Sequence, residues 1–427
     1  MSVLPEPPLT DSKSPGIDFF VARQPIFNRD LSVYGYELLF RSCLENSFDG
    51  TEATLASSHV ISSGLFSTGA GRLLSGKKAF INFNGELIAA GAPLLIPPHL
   101  MVIEVLETTE VTPEVLAACL DLRAKGYHIA LDDYSGQPNL DPLLDLADIL
   151  KVDFRVVLGD DRRRMVEKHK RPGRKMLAEK VETQAEFESA FDFGYSYLQG
   201  FFFAQPTLIT GREIAGFKLN YLRILTQMNK PELDYVEIGN LIKQEVSLAT
   251  KLLRYINSAA FSWRGHITSL HQALALLGEN VVRHWIPVAV LLDLTTDTPD
   301  ELVTHALVRA RFCELMFPWT NLSSREEPTL FLIGMFSLLD ALLERPLNEL
   351  LAELALAPDL RSVLLGKAPK SDRRAQVLAL VKAYEAADWT ELSALASGLG
   401  VPSQAITKGY LDSVDWATDV FRSAATP

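Results

Sequence analysis

HIALDD (128–133), ILKVDF (149–154) and KMLAEKV (175–181) decide how the first half of this chain folds. Each is a short apolar run that carries acids or a lysine near its end. Between them lie segments with helical spacing, Met165–Lys170 among them. The same alternation extends outward in both directions. Upstream are AFINFN (79–84), MVIEV (101–105) and the helical pattern Pro113–Gly126; downstream are Thr183–Gly194 and the segment around Tyr197–Phe203. Strand alternating with helix predicts parallel sheet built from βαβ units. About seven such runs fit a closed α/β TIM-like barrel better than a small open sheet, although periodicity alone leaves both open.

After Pro206 the period changes. LIKQEVSLATKLLRYINSA, SLHQALALLGENVVRHW, ELVTHALVRARFCELMF and TLFLIGMFSLLDALL all show helical spacing, with breakers at Gly265, Gly278, Pro299, Pro318, Pro328 and Pro346. This predicts an all-α domain of about ten helices. The expected division is a disordered lead over 1–16, a barrel over 17–210 and a helical domain over 211–427.

The 427 residues are too many for one ordinary core. With 48% hydrophobic and 22% charged residues the composition is that of a globular protein. A net charge of -12 argues against a protein that wraps nucleic acid, which needs a basic footprint. Cys43, Cys119 and Cys313 form no CxxC pair, so no disulfide framework or structural zinc is expected. MSVLPEPPLTDSKSPG has neither a basic nor an apolar signal region. The best apolar run, Trp285 to Leu292, is far short of the ~18 residues of a membrane helix. A cytoplasmic protein without a membrane partner is expected.

The chemistry lies in where the polar residues fall. Glu37, Glu104, Asp132, Asp133 and Glu179 sit at or just past the C-terminal ends of apolar runs, as do Asn82 and Lys151. In a parallel barrel those ends converge on one face, where active sites are assembled. Strands also end on polar residues because they reach the surface, so no single acid carries the reading; the set does. Crowded carboxylates repel one another unless cations are bound. Oxygen donors with an Asn carbonyl among them suit Mg2+ or Mn2+, which this donor set does not distinguish. Two such ions with a lysine nearby suit phosphodiester hydrolysis.

The motifs resemble EAL domains. Arg23-Gln24-Pro25-Ile26 through Gly35-Tyr36-Glu37-Leu38-Leu39-Phe40-Arg41 resembles the family's opening, and INFN, IEVLE, LDDY, LKVD, AEKVET and LQGFFFAQP follow in the family's order. The resemblance implies a barrel that hydrolyses cyclic di-GMP to the linear dinucleotide pGpG with two divalent ions. It implies Glu37, Asn82, Glu104, Asp132 and Asp133 as metal ligands with Glu179 nearby. Lys151 would orient or deprotonate the attacking water, and Gln199 would position it. Gln24 and Arg41 would hold the ligand, Arg41 by its guanidinium on a phosphate. Glu107 would anchor a loop over the metals.

Three departures stand out. Leu38 replaces the family's alanine, DDYSGQPNL replaces a loop with a Gly-Thr-Gly, and Lys180 replaces a glycine. The loop often supports dimers, which leaves a homodimer open. Downstream, LLRYINSAAF, SLHQALALLG and FLIGMFSLLDALL resemble HDOD domains, and the pairing resembles the YuxH-like subfamily of EAL–HDOD signalling proteins. The sequence contains no His-Asp dipeptide, and Ser337-Leu338 stands where the related metal hydrolases place one. The scattered His266, His271, His284 and His305 read as packing residues. The helical half is therefore expected to be a regulatory module that binds protein partners. The basic stretch Arg162–Lys175 reads as a solvated helix rather than a docking patch. Two alternatives to an enzyme are a receptor that binds cyclic di-GMP uncleaved and a scaffold that does neither.

Overall fold

The structure, a computed structural model, describes residues 20–41, 73–201 and 216–425, apart from 229, 231, 258–266, 296–297, 325 and 355. Cys43, Gly265, His266, the lead over 1–16 and the expected boundary at 210/211 lie outside these residues.

Eight strands close into a barrel: β1 Phe20–Asn28, β2 Val33–Arg41, β3 Lys78–Phe83, β4 Met101–Val105, β5 His128–Leu131, β6 Ile149–Asp153, β7 Lys175–Glu179 and β8 Tyr197–Gln199. From β2 to β8 every pairing is parallel. β1 runs antiparallel to both β2 and β8, which corrects the expectation of a wholly parallel barrel. Only the short turn after Asn28 separates β1 from β2. A turn that short closes a hairpin, whereas a parallel pairing needs a crossover of about a dozen residues. Pro25 lies in β1 beside a register shift at Ile26/Phe27, the sort of place a strand tolerates proline.

Alternation along the strands fills the barrel in two layers. Ile26, Phe80, Val102, Ala130, Ile149, Leu177 and Tyr197 pack together as an apolar plug. Two residues further along the parallel strands, on the same inward face, come Asn82, Glu104, Asp132, Lys151, Glu179 and Gln199, with Gln24 two residues before Ile26 on the antiparallel β1. Glu37 joins them from β2, two residues past Gly35. There a Cβ would lie 2.9 Å from the Phe80 ring, so only glycine lets the plug close. Several helices outside the barrel are capped by side chains. Thr112 caps Pro113–Ala124, and a Thr183/Glu186 capping box opens Gln184–Phe193.

The basic stretch is spent on the barrel's own structure. Arg162 donates to Val157 O and lies 4.1 Å over the Phe154 ring, and Arg174 donates to Ala147 O and His169 O.

Twelve α-helices follow among the described residues from Gly216 onward. Pro299 and Pro346 directly precede helices and Pro328 sits in a first turn, where a missing N–H is harmless. Gly278, at φ 75, kinks Leu270–Leu294. Among the described residues no single helix is long and apolar enough to cross a membrane, though one bent pair, Leu270–Glu279 with Val281–Leu294, passes on length and composition. Ala273, Leu274, Val282, Ile286, Val290 and Leu291 of that pair are buried in protein core.

The helical domain packs on the outer face of the β1–β2 ribbon. Tyr384 Oη donates to Val21 O (2.8 Å), Arg23 N to Tyr410 Oη (3.3 Å) and Tyr36 Oη to Glu301 Oε2 (2.8 Å). The Arg23 guanidinium lies 4.4 Å over the Tyr36 ring and 3.9 Å from Glu301.

Candidate active site

The polar layer is organised around one ammonium. Lys151, fully buried in the middle of β6, places Nζ 2.6 Å from Glu104, 2.7 Å from Asp132, 2.9 Å from Glu179 and 3.2 Å from Glu37. Glu37 also accepts from Asn82 Nδ2 (3.1 Å) and from Gln199 Nε2 (2.6 Å). Gln199 donates further to Gln24 Oε1 (3.3 Å), which the antiparallel β1 brings directly opposite Glu37. Sequence reading had put Glu37 at a strand end. It lies in the middle of β2, because that strand runs on along its hairpin partner.

Four carboxylates thus face one buried cation, and burial and charge pull their pKa values in different directions. Burial, with the Glu37 charge added, pushes the Glu104 carboxyl well above its ordinary range. Burial likewise raises Glu179 and Asp132, against the pull of Lys151. For Glu37 burial is outweighed by Lys151, Gln199 and Asn82, so its carboxyl is held low. Burial alone would lower Lys151, but Asp132, Glu104, Glu179 and Glu37 together hold it well above the usual lysine range. Glu104 Oε2 and Glu179 Oε2 are buried and accept no hydrogen bond. Buried oxygens of one sign without donors cost free energy that a divalent cation would recover. The donor set fits such an ion.

At the rim, Asp133 follows β5 with φ 42, and its carboxylate gathers with those of Glu107 and Asp132, ligand oxygens within 4.8 Å of one another. Glu107 was expected to anchor a loop. Its backbone carbonyl accepts from Asn139 Nδ2 (3.0 Å), while its carboxylate joins this acidic group. The altered loop after Asp133 is internally bonded: Gln137 Nε2 donates to Asp133 O (2.8 Å), and Asn139 also donates to Thr109 O (3.0 Å). Arg41 ends β2, half-buried, four residues beyond Glu37.

Asp153 was missed. It ends β6 two residues after Lys151 and so faces the same way; it is 5% exposed and accepts from Lys180 Nζ at 2.5 Å. LKVD carried the signal, an acid at i+2 from a lysine already assigned to the site.

The family model of the EAL domain matches residues 77–206, beginning downstream of Glu37, and that of the HDOD domain matches residues 216–342. The uncharacterized protein YuxH of Bacillus subtilis is 34% identical over 406 residues, 93% of this chain and 97% of its own length. The chain belongs to the EAL–HDOD family. A second relative, the cyclic di-GMP phosphodiesterase CdgJ of Vibrio cholerae serotype O1, is 32% identical over 94% of this chain and 93% of its own. Among solved structures, an EAL domain protein from Listeria monocytogenes EGD-e is 17% identical over 44% of this chain and 87% of that one, with a TM-score of 0.37.

Proposed function

We propose that the barrel is a metal-dependent phosphodiesterase that hydrolyses cyclic di-GMP to linear pGpG. One observation carries this reading: a buried ring of four carboxylates holds a single ammonium and leaves oxygens unpaired. The name of the Vibrio cholerae relative agrees with it. Glu37, Asn82, Glu104, Asp132 and Asp133 would hold Mg2+ or Mn2+. When bound, such ions polarise the phosphoryl group and neutralise the excess negative charge of the ring.

The remaining roles fall to the chain's own groups. Lys151, held charged by its neighbours, orients the attacking water by donating to it rather than acting as base. Glu179, with Oε2 unpaired, is the acceptor for the water's proton. The water oxygen bonds to phosphorus as the P–O3′ bond breaks, and the departing O3′ takes its proton from solvent to become the 3′-hydroxyl. Gln199, tied to Glu37 and Gln24, fixes the water's approach. Gln24 contacts the ligand, and Arg41 presents a fork that matches a phosphate.

The division into 17–210 and 211–427, the cytoplasmic setting and the role of the HDOD half as a protein-binding output module belong to the same reading. Purified protein incubated with cyclic di-GMP and Mn2+ or Mg2+ is expected to yield the linear dinucleotide by chromatography, and Glu37→Ala to yield none. Tight binding without product would make the barrel a receptor; no binding would leave a scaffold.

A further inference from the structure

Lys180 puts a second ammonium at the barrel mouth, at a backbone position that does not favour a lysine. It follows Glu179 at the end of β7 with φ 53, in the left-handed region that suits glycine. From there its Nζ reaches Asp153 Oδ2 at 2.5 Å and Asp133 Oδ1 at 3.4 Å. Asp153 is nearly buried, and its other oxygen accepts from Arg155 N at 2.7 Å. Asp133 belongs to the Glu107, Asp132 and Asp133 group, whose oxygens are spaced to share one hard cation. Lys180 thus bridges two carboxylates from different strand ends, the position a bridging cation would take.

The mouth is therefore asymmetric. Deep in the barrel, Lys151 is outnumbered by four acids, and a divalent ion is still required there. At the rim, Lys180 already bridges Asp133 and Asp153 and offsets one of their two charges, and a dication placed against it would meet a like charge at short range. With its side chain 42% exposed, Lys180 can swing out, so it competes with an ion at the rim rather than sealing the site.

We propose that Lys180 stands in for the second divalent ion. The free protein then loads a single ion, at the deep group Glu37, Asn82, Glu104 and Asp132. This inference rests on the phosphodiesterase reading of the mouth, and its test separates the two. Mn2+ is titrated calorimetrically, without nucleotide, into the full-length protein and into Lys180→Met and Lys180→Gly. Met keeps the apolar stem and removes only the charge, whereas Gly also relieves the left-handed backbone.

One Mn2+ per chain in the parent and two in both variants is the expected result. Two in the parent, or one in all three, overturns the proposal and leaves the deep site standing. A second ion in Lys180→Gly alone also overturns it, because backbone shape rather than charge would then decide. No Mn2+ in any of the three removes the metal site itself, and both readings fall together.

Discussion

Two buried clusters of charge, one in the barrel and one in the helical domain, look alike by residue type and differ in balance. In the barrel one lysine faces Glu37, Glu104, Asp132 and Glu179. In the helical domain Arg309 faces one carboxylate, Glu385. Its Nε donates at 2.9 Å and Nη2 at 2.5 Å to Oε2, while Nη1 donates to Ser337 Oγ at 3.0 Å. His305 completes that group, 3.5 Å from Glu385. Burial favours raising the Glu385 pKa, yet Arg309 and His305 hold it low, as in a satisfied ion pair. Ser337 is here a partner of a guanidinium. The lesson concerns stoichiometry. A balanced buried pair completes itself, whereas an excess of one sign calls for a partner from outside the chain.

The comparison is tested most severely by removing the cation from each cluster. Lys151→Met should cut cyclic di-GMP turnover by about 10^2–10^3, as expected for loss of a preorganised donor, and lower metal-free stability by about 3–5 kcal/mol, since it leaves buried acids uncompensated. Mn2+ should then raise the melting temperature of the variant more than that of the parent. Arg309→Met should cost a similar ~3–5 kcal/mol by stranding Glu385, but Mn2+ should not restore it. Equal Mn2+ responses in the two variants would abolish the distinction between the clusters.

The barrel was more legible in the sequence than the helical cluster, for physical reasons. Period two puts a residue and its i+2 neighbour on one face, so MVIEV, HIALDD and LKVD show both the strand and the acid it delivers. β1 was not visible as a run because Arg23, Gln24 and Pro25 interrupt it, and its reversal depends on a hairpin rather than on hydrophobic pattern. In the helical half, Pro299, Pro328 and Pro346, read as breakers, fall at helix starts, whereas Pro287 lies inside a helix. Arg309 and Glu385 lie 76 residues apart on separate helices, and Arg23 and Tyr410 lie 387 apart. No local spacing links such pairs, so neither the ion pair nor the domain seam could be read from the chain.

Acid should separate the clusters next. Burial pushes the His305 imidazole down to about 4; Glu385 works against this, and Arg309 and Arg23 reinforce it. In the unfolded chain the same ring titrates near ~6.5. Its folded pKa is thus depressed, and the unfolded state takes up the proton first as pH falls. The stability that the neutral ring represents is present above about pH 6.5 and is lost as pH drops through about 4, roughly 3 kcal/mol in all. The lowered Glu385 adds a loss of the same sign under more acid conditions. Urea unfolding should show the parent losing more stability than His305→Gln between about pH 6.5 and 4, the difference isolating the ring from the barrel carboxyls, which titrate with the opposite sign. Parallel curves for parent and variant would mean that the ring is not held neutral by the fold.

The smallest expected effect tests whether the two sides of the β1–β2 ribbon act independently. Arg23 and Tyr36 face the helical domain, and their chain neighbours Gln24 and Glu37 face the barrel. A cavity of about 30 Å³, lined by Arg23, Gln24, Glu301, His305, Glu385 and Tyr410 among others, lies at this seam. Tyr36→Phe deletes only the hydroxyl that donates to Glu301 and leaves Arg23 as that carboxylate's partner. The loss of one buried hydrogen bond should cost about 1–2 kcal/mol. Turnover in Mn2+ should stay within about twofold of the parent, because Glu37 keeps its own partners, Asn82, Lys151 and Gln199. A larger fall in turnover than in stability would show that the helical domain's hold on Tyr36 reaches Glu37 through the shared backbone. The ribbon would then be a connection between the two domains rather than a wall between two clusters.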